Sequence, residues 1–169
     1  MSALFEPIRY KLVEQQIRPW NVSDSDILNT LLTLHRERFV PTNLAHLAFT
    51  DTQLPLPGAT HPSQVMFEPK VEARILQALK PSSKETVLEV GAGSGYMAAL
   101  LAQYAKFVTT VDSDSQMVNL SKTVDSIAER ACASFPYCVI NCSLNGREVE
   151  GENPRVSANE CFGPNTRSY

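Results

Sequence analysis

Long apolar runs are missing from this chain of 169 residues. None approaches the roughly 20 residues needed to cross a bilayer, so no membrane partner is expected. A large excess of charge of either sign is missing too. The net charge of -3 and pI near 5.6 withhold the basic surface that backbone-driven nucleic-acid binding needs. The opening Met1-Ser2-Ala3-Leu4-Phe5-Glu6-Pro7 lacks the basic start and apolar core of a secretory signal, and a cytoplasmic protein is expected. Paired cysteine motifs are absent. Cys132, Cys138, Cys142 and Cys161 all fall in the last quarter without a Cys-x-x-Cys pair. With His35, His46 and His61 they form no zinc-ligand spacing, so no metal is expected, and free thiols are favoured over disulfides. There is no internal repeat.

What remains is an ordinary composition, 43% apolar and 20% charged, suited to one domain with a buried core. Ile8, Leu12, Val13 and Ile17 lie at helical spacing and predict a helix from Pro7 to Ile17, stopped at Arg18-Pro19. A second helix starts at the Ser23-Asp24-Ser25-Asp26 run, carries Ile27, Leu28, Leu31, Leu32 and Leu34, and ends in His35, Arg36 and Arg38, where the helix dipole favours positive charge. Pro41, Pro55, Pro57 and Pro62 then mark a loop-rich connection over residues 39–64. Pro69 suits the first turn of a third helix, with Val71, Ile75, Leu76 and Leu79 as its apolar stripe and Lys80-Pro81 as its end.

The period then changes. Thr86 to Val90 reads as a strand, Gly91-Ala92-Gly93-Ser94-Gly95 as a tight turn and Tyr96 to Ala105 as a helix. Phe107 to Val111 reads as a second strand closed by Asp112, Ser113 to Ala131 as a helix, and Tyr137 to Ile140 as a further strand. This alternation is the start of a doubly wound α/β sheet. From residue 146 the chain turns polar and aperiodic, and an irregular tail is expected. The expected division is a helical and loop lead-in over 1–67, a partial α/β unit over 68–145 and a tail over 146–169.

The glycine turn carries the chemistry. A strand that ends at a helix N-terminus through glycines lets a ligand approach the backbone without a Cβ in the way. Asp112, at the end of the next strand, lies close to the ~20-residue spacing expected of a carboxylate that takes ribose hydroxyls. A dinucleotide site would show Gly-x-Gly-x-x-Gly and a pyrophosphate on the helix dipole. Here the third glycine arrives one residue early, and Glu89 stands two residues before Gly91. A carboxylate there repels a pyrophosphate and suits a ligand bearing an ammonium and a sulfonium, which favours S-adenosylmethionine over NAD. A tight turn without a ligand and an NAD-binding oxidoreductase are the alternatives.

The stretch Val87-Leu88-Glu89-Val90-Gly91-Ala92-Gly93-Ser94-Gly95-Tyr96, with Ala98-Ala99-Leu100-Leu101-Ala102 behind it, resembles the methyl-donor motif of the protein-L-isoaspartate O-methyltransferases. Val13-Glu14-Gln15-Gln16-Ile17-Arg18, Arg36-Glu37-Arg38-Phe39-Val40-Pro41, Leu47-Ala48-Phe49-Thr50-Asp51, Leu54-Pro55-Leu56 and the block Gln64 to Arg74 resemble further family segments in order. The resemblance implies a Rossmann-like S-adenosylmethionine-dependent methyltransferase fold with an incomplete parallel sheet. It implies methyl transfer to the α-carboxylate of isoaspartyl residues in damaged proteins or peptides, hence protein repair; a monomer is expected. It places the cofactor against Glu89, Gly91, Ala92, Gly93, Gly95, Tyr96 and Asp112.

Two departures stand out. Where the family has a hydroxyl-bearing Thr-Ile-Ser run, this chain has Val65, Met66 and Phe67. By resemblance Phe67 takes the substrate-facing position with Met66 beside it, although both also suit core packing. Ser63 and Thr60 lie nearby but out of register. The later Gly-Asp-Gly turn has its counterpart in Asn141 to Gly146, which carries no acid, and resemblance is expected to stop near residue 122. The alternatives to an active enzyme are a non-catalytic cofactor-binding module and a methyltransferase with another acceptor. An α/β sheet with three strands leaves an edge and an apolar face open. The isolated chain is therefore expected to be marginally stable and to self-associate. Thermal unfolding with light scattering checks this, and a sharp cooperative melt of a soluble monomer would oppose it.

Overall fold

A computed structural model of the chain describes residues 2–112, 114 and 138–142. The lead-in opens with α1 (Ser2–Leu12), which passes into a π-helical turn (Val13–Ile17) and a 3-10 turn (Arg18–Trp20). The wider π turn brings both Val13 and Ile17, fully buried, to the core side. Asn21 ends this run in the left-handed region, at φ 59°. α1 thus starts five residues earlier than the apolar spacing predicted, with Pro7 inside it. Its inward face also differs from the prediction. Ile8 is exposed, whereas Arg9 is buried and donates to the Leu32 carbonyl at 3.1 Å and to Glu37 at 2.8 Å.

α2 (Ser25–Thr33) is capped by Asp24 instead of Ser23. The Asp24 carboxylate accepts from the Asp26 and Ile27 amides at 3.0 and 3.3 Å. The Ser23 and Asp24 amides both donate to Gln77 Oε1, which draws this corner onto the next long helix. α2 stops at Thr33 because Leu34 is extended and buried, and the chain turns inward there. His35, Arg36 and Arg38 are therefore not the end of that helix, as their charge suggested. Arg36–Arg38 form a separate 3-10 turn, and a second one spans Thr42–Leu47 inside the expected loop. The same connection holds β1 (Leu54–Pro55), paired antiparallel with β2 (Val65–Met66).

α3 (Pro69–Leu79) has Pro69 in its first turn and ends at Lys80 in the left-handed region. Its inward face carries Glu72, Ala73 and Leu76, while the predicted stripe residue Leu79 is exposed. β3 (Thr86–Val90), α4 (Tyr96–Leu101) and β4 (Phe107–Asp112) follow in the predicted order, and β5 (Cys138–Cys142) joins the far side of β4. α4 is shorter than expected. After Leu101 the chain tightens into turns, and the Tyr104 hydroxyl meets the Thr30 hydroxyl of α2 at 2.6 Å. The strands run parallel in the order β3-β4-β5, with Glu89 opposite Thr110 and Val90 opposite Val111. Apart from Asp114, the predicted helix from Ser113 to Ala131 lies outside the described residues, as does the tail.

One apolar cluster runs from Leu12 and Ile17 through Leu31, Phe39 and Leu54 to Leu76, Leu100 and Val108, joining the lead-in to the α/β unit. The sheet is covered on the face of Val108 and Thr110. On the opposite face Leu88 and Val90 are 60% and 80% exposed, so the open apolar face expected from sequence is present among the described residues.

Across the join between lead-in and sheet sits Arg36, 2% exposed. It donates through Nε to the Ala48 carbonyl at 2.8 Å and through Nη2 to the Phe67 carbonyl at 2.5 Å, and it pairs with Glu72 through Nη1. Its guanidinium also lies 4.9 Å from the centre of the Tyr96 ring. Removing one member of a buried pair strands the other charge, so Arg36→Met should cost about 3–5 kcal/mol. Arg36→Met combined with Glu72→Leu should recover most of that loss, as read by urea unfolding in a double-mutant cycle.

Candidate active site

A cavity of about 690 Å3 opens between the β2–α3 segment on one side and the turn from β3 to α4 on the other. This is within the usual range of small-molecule and cofactor sites. Its floor is the glycine turn. Gly91, Gly93 and Gly95 all have positive φ, at 100°, 50° and 79°, so the segment is a true bend and not a continuation of helix. A Cβ built at Gly91 or Gly93 would meet nothing within 4 Å. Glycine is required there by backbone conformation, and the space above it stays open to a ligand.

Asp112 closes β4 beside that bend. Its Oδ2 accepts from the Ala92 amide at 2.8 Å and its Oδ1 from the Asp114 amide at 2.9 Å. The carboxylate is thereby fixed facing the turn, and each oxygen retains a second acceptor position. The Gly91 amide donates to the Val111 carbonyl at 2.7 Å, which extends the β3–β4 pairing into the first glycine. Glu89 is half-buried and accepts from the Thr110 hydroxyl at 2.7 Å across the strand register.

The predicted residues Met66, Phe67, Glu89, Gly91, Ala92, Gly93, Tyr96 and Asp112 all line the cavity. Gly95 does not. It is buried, and its left-handed conformation starts α4. Met66 and Phe67 divide between the two expected roles. Met66 is 4% exposed and packs in the core, whereas Phe67 is 48% exposed at the cavity wall. Tyr96 sits in the wall with its ring edge-on to Phe39 at 5.1 Å. Burial pushes its phenol up to about 12, so it is neutral at physiological pH.

Sequence reasoning passed over three residues. Thr110 orients Glu89, Asp114 adds a third carboxylate beyond Asp112, and Gln64 reaches across the cavity to donate to Asp114 at 2.9 Å. Gln64 stands at the head of the block Gln64 to Arg74, which was the available signal. Glu89, Asp112 and Asp114 give the turn end of the cavity an acidic character. No lysine or arginine lines it among the described residues. Such a wall suits a cationic ligand rich in hydroxyls and opposes a pyrophosphate.

Comparison with known proteins shows the family. Residues 8–136 match the sequence model of the family described as Protein-L-isoaspartate(D-aspartate) O-methyltransferase (PCMT). That match runs past residue 122, where resemblance was expected to stop. The chain is 39% identical over 131 residues to protein-L-isoaspartate O-methyltransferase 1 of Rhodopseudomonas palustris, covering 78% of this chain and 48% of that protein. It is 33% identical over 118 residues to the protein-L-isoaspartate O-methyltransferase of Petrotoga mobilis, covering 70% and 54%. The chain thus spans about half the length of the curated relatives it matches. In fold it is similar to a Plasmodium falciparum protein crystallised with S-adenosyl-L-homocysteine, with a TM-score of 0.61 at 19% identity over 78% of this chain and 61% of that one. A solved structure named protein-L-isoaspartate O-methyltransferase gives a TM-score of 0.60 at 21% identity over 79% and 41%.

The bend itself is testable without a ligand. Gly91→Ala meets no clash but forces a Cβ into a positive-φ conformation, and should cost about 1–2 kcal/mol. Denaturant unfolding checks this, and the substitution should leave the denaturant dependence of stability unchanged.

Proposed function

This chain belongs to the protein-L-isoaspartate(D-aspartate) O-methyltransferase family, and from that premise we propose that it methylates the α-carboxylate of L-isoaspartyl residues in damaged proteins or peptides, with S-adenosylmethionine as donor. The observation that carries this reading is the fixed pair of carboxylates at the bend. Asp112 is locked by the Ala92 amide and Glu89 by the Thr110 hydroxyl, both on a cavity wall without lysine or arginine among the described residues.

The residues present fit the donor. The open space over Gly91 and Gly93 admits a ligand against the backbone. Asp112 retains acceptor positions for the two ribose hydroxyls, and Glu89 supplies negative charge for the cationic methionine portion. S-adenosylmethionine supplies a methyl group on a sulfonium. The acceptor carboxylate is already ionised at neutral pH, so the protein needs no general base and acts by aligning the two reactants. The described wall fits that demand, with fixed acids on the cofactor side and the apolar Phe67 also lining the cavity.

Calorimetric titration with S-adenosylmethionine tests the cofactor half. Glu89→Gln and Asp112→Asn should each weaken binding about tenfold or more, since hydrogen bonds to charged groups contribute roughly 1.5–3 kcal/mol. A radiolabelled methyl-transfer assay comparing isoaspartyl and aspartyl peptides tests the acceptor half, with turnover expected for the isoaspartyl peptide alone. Binding without turnover would make the chain a cofactor-binding module. Tight NADH binding in place of S-adenosylmethionine would overturn the reading.

A further inference from the structure

An anionic acceptor has to enter a cavity that already carries Glu89, Asp112 and Asp114, and the wall must supply a donor to receive it. The nearest guanidinium is not that donor. Arg36 is buried behind the wall, with its nitrogens committed to Ala48, Glu72 and the Phe67 carbonyl. The positions expected to carry hydroxyls, Val65 to Phe67, carry none. Among the described lining residues one ionisable base is present, His61, and it is exposed.

The local geometry of His61 is specific. Its Nδ1 accepts from the Ser63 amide at 3.2 Å and lies 2.7 Å from the Ser63 hydroxyl. Nδ1 is thus an acceptor in the neutral ring, which places the proton on Nε2. In the imidazolium Nε2 is protonated as well. The ring therefore presents an Nε2–H donor in both ionisation states. The turn that carries it is held in place. The Thr60 and His61 amides donate to Gln64 Oε1 at 2.7 and 3.1 Å, and Gln64 Nε2 donates to Asp114 at 2.9 Å. One glutamine side chain thus tethers the histidine turn to the segment just beyond Asp112.

Resting on the function proposed above, we infer that His61, oriented by Ser63, is the residue that receives the carboxylate of the methyl acceptor, and that Gln64 is a positioning residue for it. Hydroxyl donors also line the cavity at Ser63, Ser94 and Tyr96, but among the described lining residues the imidazole of His61 is the one donor able to carry positive charge, which strengthens a hydrogen bond to a carboxylate. The inference also accounts for substrate recognition in a chain without hydroxyls at residues 65–67, since the donor comes from four to six residues earlier on the same strap.

The test measures binding of a fluorescently labelled isoaspartyl peptide by anisotropy with saturating S-adenosylhomocysteine, and S-adenosylhomocysteine affinity by calorimetry. His61→Leu should weaken peptide binding about tenfold, the scale of one charge-assisted hydrogen bond, and leave S-adenosylhomocysteine affinity unchanged. His61→Lys, which keeps a cationic donor, should restore peptide binding to within a few-fold of wild type. In turnover, His61→Leu should raise KM and leave kcat in place. Unchanged peptide binding in His61→Leu overturns the inference and leaves the proposed function standing. Equal loss of peptide and S-adenosylhomocysteine in both variants makes His61 structural and also overturns it. If the wild-type chain binds S-adenosylhomocysteine but no isoaspartyl peptide, the acceptor half of the proposed function fails, and the role of His61 fails with it.

Discussion

A guanidinium withdrawn from water has to be answered by oxygen on every side, and Arg36 is answered by three separate parts of the chain. The Ala48 carbonyl comes from the lead-in, the Phe67 carbonyl from the end of β2, and the Glu72 carboxylate from α3. Burial lowers its pKa to about 10, still well above neutrality, so the side chain remains charged and the need for partners persists. Because Tyr96 lies beneath the same guanidinium, the start of α4 is held to that point as well. The two walls of the cavity, Phe67 on one side and the glycine turn on the other, are spaced by this one cation. Arg9 repeats the device at the outer edge, where it ties α1 to Leu32 and Glu37.

The site inherits its character from that spacing and from strand register. Parallel pairing puts Glu89 opposite Thr110, and the threonine hydroxyl then fixes the carboxylate. Pairing that continues into Gly91 brings the Ala92 amide to Asp112. The resulting acidic end opposes the pyrophosphate of a dinucleotide and favours a cation with hydroxyls. The opposite wall is apolar at Phe67 and polar at the tethered turn of His61, Ser63 and Gln64. The acidic end and this polar turn thus face one cavity from different segments of the chain.

The chain spans about half of its curated relatives, and the sheet reflects a fold described in part. Among the described residues β3 has a partner on one side only, and Leu88 and Val90 project from a face that no helix covers. The covered face, by contrast, buries Val108 and Thr110 on the side of α4. Glu89, Gly91, Ala92, Gly93 and Asp112 lie at the ends of β3 and β4 or in the turn that follows β3. Their geometry therefore depends on the β3–β4 strand pair.

By itself the sequence determined the elements whose signals are local. Pro69 opens α3 because its fixed φ suits a first turn, the β-branched run Thr86 to Val90 forms a strand, and three glycines bend where positive φ is required. The glycine bend and the acid beside it were legible for the same reason, since a strand end followed by a glycine turn places backbone and acid together over a short span of chain. What the tertiary structure decided are the long-range polar contacts. Helical periodicity marked Ile8 and Leu79 as inward and gave Arg9, Arg36 and Glu72 no role in the core. Charge is assigned to the surface by pattern alone, and it becomes stable inside only when a partner arrives from a distant part of the chain. Thr110 opposite Glu89 and Gln64 across from Asp114 belong to the same class. Strand register and loop closure create those neighbours, and neither is encoded by the spacing of residues within one segment.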